Sequence, residues 1–131
     1  MTQTAEQATP AARSDYSIAA TMKDAQAWVA ADPIKRKIGT PAATGSMLRV
    51  FDSKSILLLE KIGPTDVLNL GDIIGYSNPD LVSTDISHRF IRIDPNGMLV
   101  FKGDSNSSED PPVVRKAVQW RIVGILYTSG N

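Results

Sequence analysis

The chain contains no cysteine. Disulfides, thiolate metal sites and a cysteine nucleophile are therefore excluded, and the chain is indifferent to redox compartment. Long apolar runs are missing too. The longest aliphatic stretch, Ile56-Leu57-Leu58-Leu59, falls far short of the roughly 20 residues that cross a bilayer as a helix. There is no net charge, because 14 basic residues balance 14 acidic ones; this removes the electrostatic case for nucleic acid or an anionic membrane. Residues 1–13 lack the basic region and apolar stretch of a secretory signal. No glycine-rich strand–turn–helix is present to cradle phosphates. A single histidine cannot build an ordinary zinc site. The chain reads as soluble, cytoplasmic or particle-associated, with no cofactor and no metal.

What is present suffices for one domain. At 131 residues, 42% of them hydrophobic, the chain can bury a core without staples. Residues 1–14 are small and polar and read as a flexible arm. From Tyr16 to Ala31, Ile18, Met22, Ala25 and Val29 recur at helical spacing with Trp28 beside them, which predicts an amphipathic helix whose apolar face packs on the β domain or a neighbouring subunit. Thr21 and Asp24 form a capping pair if the helix starts late, and Asp32-Pro33 ends it. Residues 1–40 are thus arm plus helix, and residues 41–131 a β domain. Strands are expected at Ile56–Lys61, Ile73–Tyr76, Ile86–Asp94, Met98–Lys102 and Arg121–Tyr127, the last as a closing strand. Asp94-Pro95-Asn96-Gly97 is a strong hairpin turn. The class is mainly β, a small antiparallel or barrel-like domain with one N-terminal helix.

Three segments carry chemistry-bearing residues. Thr44-Gly45-Ser46-Met47 sets a serine after a small-residue loop, where a nucleophile and an oxyanion-binding N–H can coexist. The lone histidine, His88, lies in Ser87-His88-Arg89-Phe90 on an expected strand; taken alone it reads as structural. Lys102-Gly103-Asp104-Ser105-Asn106-Ser107-Ser108-Glu109-Asp110-Pro111 is an acidic, turn-rich loop without the alternating ligands of an EF-hand.

In order, the Ser46 loop, Gly71-Asp72-Ile73-Ile74, Ser87-His88-Arg89-Phe90 and Lys102-Gly103-Asp104-Ser105-Asn106 with Asp110 resemble the motifs of type I signal peptidases of the endoplasmic-reticulum and archaeal kind, over residues 44–126. The resemblance implies a signal-peptidase-type β fold. It makes Ser46 the nucleophile, His88 the general base and Asp110 the aspartate that orients it. Thr44 matches a hydroxyl that supports oxyanion binding, and Asp104 matches a second acidic position that shapes its loop, bonding to backbone N–H groups or serines there. It also implies convergence of Ser46, His88 and Asp110, and a peptide or protein substrate cut after small residues. The chain departs from the family at Leu48-Arg49, where a proline is usual, at Asp52-Ser53-Lys54-Ser55, where a Gly-Asp pair is usual, and in having no anchor helix.

The expectation is a soluble serine endopeptidase, with self-processing open at Ala30-Ala31 or Ala42-Ala43. The alternative is a non-catalytic structural or interaction module on the same fold, such as a phage particle component. A self-cleaving repressor domain is disfavoured, because no suitable lysine base and no DNA-binding helix pair are seen. A homo-oligomer or larger assembly stays open.

Overall fold

The computed structural model describes residues 21–41, 44–77 and 86–127. The expected arm, Ile18 and Ala42-Ala43 lie outside these residues. The element order is α1 (Met22–Ala31), β1 (Arg36–Gly39), β2 (Ile56–Lys61), β3 (Ile73–Tyr76), β4 (Ile86–Ile93), β5 (Leu99–Lys102), a 3-10 turn (Arg115–Ala117) and β6 (Val118–Leu126).

Helix α1 starts where its cap chemistry directs. Thr21 is extended and its hydroxyl accepts the Asp24 N–H at 3.2 Å, which satisfies one of the free donors of the first turn. The buried contact is narrower than the heptad-like spacing suggested. Ala25 is fully buried against Leu58, with Trp28, Ile38 and Val123 around them. Met22 is 43% exposed, so it contributes little to the packed face. A methyl side chain at position 25 lets the helix lie close on the sheet. The Ala30-Ala31 bond closes this helix, so it is not displayed as an extended segment.

All strands pair antiparallel in one six-stranded sheet, in the order β1-β2-β6-β3-β4-β5. Closure into a barrel does not occur: β1 and β5 are the two ends of the sheet. Both are only four residues long, and each has its outer side occupied or cut short. The chain at Val113 bonds back to Leu99, N–H to carbonyl in both directions at 2.8 and 2.9 Å. Pro41, just beyond β1, has no N–H to extend its ladder. Short, blunted edges of this kind discourage further pairing.

The β4–β5 hairpin follows from its turn residues. The Asp94 carboxylate accepts the N–H groups of Asn96 and Met98, both at 2.9 Å, and Gly97 takes φ 80°, a conformation open to glycine. Strand β6 begins at Val118, three residues before the expected start, and it is central rather than closing: β2 pairs with one side and β3 with the other. Strand β1 was not expected, since Arg36 and Lys37 break any apolar run. It is held by pairing to β2 and by its own cations. Arg36 donates to the Trp28 carbonyl at 3.1 Å and to Glu60 at 3.4 Å, while Lys37 Nζ lies 4.1 Å from the centre of the Trp120 ring. Such contacts suit long cationic stems over aromatic faces.

The sheet carries two larger buried clusters. Met47, Phe51, Leu57, Leu59, Ile73 and Ile122 belong to one, and Ile74, Tyr76, Phe90, Phe101, Val113 and Val118 to the other. In the second, Tyr76 stacks on Phe101 with ring centres 4.4 Å apart, and Phe90 tilts against Phe101 at 5.4 Å. Ring pairs of this geometry add about 0.5–1.5 kcal/mol beyond burial. No helix among the described residues is long and apolar enough to cross a membrane.

Candidate active site

Ser46 sits in a tight turn that enters the first cluster. Gly45 has φ 72°, the Leu48 N–H returns to the Gly45 carbonyl at 3.1 Å, and the Val50 and Phe51 N–H groups close on the Met47 carbonyl at 2.9 and 3.0 Å. Met47, 2% exposed, anchors the turn from below while its neighbour Ser46 stays partly open. Arg49 adopts φ 76°, an unusual conformation for a side-chain-bearing residue.

The loop after β5 clamps this turn from behind. The Ser105 N–H donates to the Ser46 carbonyl at 2.8 Å, the Ser105 hydroxyl to the Leu48 carbonyl at 3.2 Å, and the Asp104 N–H to Met47 Sδ at 3.3 Å. Gly103 makes the approach feasible. A Cβ there would stand 2.8 Å from the Ser46 carbonyl oxygen and 3.0 Å from Ser46 Cβ, and backbone cannot yield as a flexible side chain can. Gly103→Ala should therefore destabilise the fold by about 1–3 kcal/mol through overpacking. Denaturant unfolding measures this directly; an unchanged midpoint would mean that the clamp is slack.

His88 projects from β4 opposite Ile74 of β3 and is 9% exposed. Its Nε2 lies 2.9 Å from Ser46 Oγ, and its Nδ1 lies 2.5 Å from Asp110 Oδ2. Asp110 is held by its backbone: its N–H donates to the Phe101 carbonyl at 2.7 Å, so the chain here runs beside β5. The structure thus brings Ser46, His88 and Asp110 together from positions 42 and 22 residues apart. Thr44 joins them, donating its hydroxyl to Ser46 Oγ at 3.1 Å and accepting the Ser46 N–H at 3.3 Å.

Asp104 does not bond as expected. Instead of turning into its own loop, its carboxylate takes both prongs of the Arg89 guanidinium, Nε at 2.9 Å and Nη2 at 2.7 Å. The third nitrogen of Arg89 donates to the Gly71 carbonyl at 2.7 Å. Register explains the partner: Arg89 faces Lys102 across the β4–β5 pair, two residues from Asp104, and a planar fork matches a carboxylate better than single backbone donors do. Asp104 is therefore a strut between β4 and the clamp.

Tyr76 was missed altogether. Its hydroxyl donates to Asp110 Oδ2 at 2.5 Å, the same oxygen that meets His88. Burial first, and then the Asp110 carboxylate that accepts its proton, push this phenol well above the ordinary tyrosine range, so it remains a donor. With Asp110 accepting from both groups, the imidazole proton belongs on Nδ1, and Nε2 is left to accept from the Ser46 hydroxyl. A signal was available in the alternation of β3, which sets Ile74 and Tyr76 on one face, the face shared with His88 through the Ile74–His88 pairing.

Ser46 and His88 open into a groove of about 520 Å³, whose walls include Ile38, Met47, Phe51, Leu57, Leu59 and Trp120. Lys37 and Asp52 are its charged lining residues away from the three-residue array. Among the described residues no three His, Cys, Asp or Glu side chains are placed to hold a metal ion. Compared with known proteins, the chain matches no family model, no curated protein and no solved structure.

Proposed function

We propose that the chain is a serine endopeptidase related in plan to the signal-peptidase group, acting on extended peptide segments with small or apolar side chains. The observation that carries this reading is the hydrogen-bonded series Ser46 Oγ, His88 Nε2, His88 Nδ1, Asp110 Oδ2, at 2.9 and 2.5 Å, opening into a mostly apolar groove. A packing role alone gives no physical need for these three polar groups to meet.

In the proposed reaction, Ser46 Oγ attacks the scissile carbonyl while His88 Nε2 takes its proton. Asp110 keeps the ring oriented and supports the imidazolium. The negative charge that develops on the carbonyl oxygen is met by the Ser46 N–H and the Thr44 hydroxyl, two groups that bond to each other in the free protein. The imidazolium then returns the proton to the leaving amine, and water, activated by the same histidine, releases the acyl group.

A fluorophosphonate probe tests this most directly. It should label the wild-type chain at Ser46, located by peptide mass, and leave Ser46→Ala unlabelled. Absence of labelling, together with no cleavage of small-residue peptides, would favour the non-catalytic module.

A further inference from the structure

We propose that Tyr76 is a positioning residue for the base, acting through Asp110; this rests on the serine-peptidase reading of the same array. Tyr76 OH and His88 Nδ1 both bond Asp110 Oδ2, each at 2.5 Å. The ring of Tyr76 is fully buried and stacked on Phe101, and the Phe101 carbonyl holds the Asp110 N–H. One residue of β5 therefore fixes both the phenol and the backbone of the carboxylate it meets. A buried phenol needs some acceptor, and a backbone carbonyl would satisfy a tyrosine whose role was only packing. Here the acceptor is the oxygen that orients the imidazole, which ties ring packing to the geometry of His88.

Two consequences follow. Rotation of the Asp110 side chain is restrained, so His88 Nε2 stays aimed at Ser46. The phenol also takes a share of the carboxylate's charge, which moderates how strongly Asp110 favours imidazolium over imidazole. Other charges around His88 are committed elsewhere. Its neighbour Arg89 is paired with Asp104. Lys37, in the groove wall, lies over Trp120. Asp52, also in the groove wall, accepts the Lys54 N–H at 2.9 Å and the Ser55 hydroxyl at 3.2 Å.

Tyr76→Phe keeps the ring and removes the donor. In that variant kcat should fall about tenfold while KM hardly moves, as expected when orientation of a general base is impaired. The rising limb of the pH–rate profile should move up by roughly half a pH unit or more, because the unshared carboxylate holds the imidazolium harder. His88 is the only histidine, so NMR of its imidazole carbons reports the same change without any assay. Its titration should move to higher pH in Tyr76→Phe, and should be indifferent to that change in an Asp110→Asn background. Should Tyr76→Phe fail to fold, 3-fluorotyrosine incorporation strengthens the donor and should move the titration to lower pH. An unmoved His88 titration in a folded variant, or in the fluorinated protein, overturns the proposal even if the chain is an active peptidase. A chain without peptidase activity whose His88 titration still follows Tyr76 keeps the coupling and rejects the catalytic reading instead.

Discussion

Ser46→Ala and His88→Ala should each lower turnover of small-residue peptides by about 10⁴–10⁶-fold, and the double variant scarcely further. The near-identity of the three losses follows from the geometry. Ser46 Oγ is 2.9 Å from His88 Nε2, so the hydroxyl becomes nucleophilic only as its proton passes to that nitrogen, and removing either partner removes the same step. Wild-type activity should be lost on acidification, because only the neutral ring can accept from serine. A lysine-based mechanism would need a desolvated amine in contact with Ser46, and His88 occupies that position. Peptides with paired small residues, assayed across roughly pH 5–9, give the measurement. Additive losses in the double variant would mean that the two side chains act independently and that the array is not one catalytic unit.

Asp110→Asn should cost about 10⁴-fold in kcat with the fold intact, whereas Asp104→Asn should cost about tenfold or less in rate and mainly stability. An amide at position 110 carries no negative charge to support the imidazolium, and an NH2 turned toward His88 would donate to Nδ1 and select the wrong tautomer. At position 104 the same change breaks one half of the Arg89 fork and loosens the clamp behind Ser46, at about 1–3 kcal/mol for bonds to a charged group. Paired measurement of kcat and of denaturant midpoint separates the two. The opposite ranking in folded variants would mean that Asp104, not Asp110, serves the base.

Much of this architecture could be read from the chain, and the parts that could not share a physical cause. Ile56–Lys61 and Ile73–Tyr76 form strands at the expected bounds, because apolar runs bounded by turn residues are local signals. Asp94 and Gly97 specify their hairpin in the same local way. Strand β1 escaped notice because Arg36 and Lys37 are stabilised by distant partners, Glu60, Trp28 and Trp120, which no window on residues 36–39 contains. The central place of β6 is likewise a matter of partner choice. At the site, the meeting of Ser46, His88 and Asp110 was anticipated from motif order, which needs no register. The Arg89–Asp104 and Tyr76–Asp110 contacts were not, because they depend on which side chains the strand register brings to one face. Motif reading names the residues that resemble a chemistry; register decides what supports them.

The strand order has a consequence for how the chain assembles. Strands β1 and β2 form one half of the sheet and β3, β4 and β5 the other, and every sheet pairing between the halves runs through β6. Ser46 leads into the first half, while His88 and Asp110 belong to the second. On a ribosome, β6 is the last of these strands to emerge, so the two halves of the sheet cannot pair through it until it arrives. Pairing so distant in sequence forms late and slowly compared with local hairpins. A chain built this way completes its sheet only when its last strand docks, so on the proposed peptidase reading the Ser46–His88–Asp110 array would reach its final geometry late in synthesis.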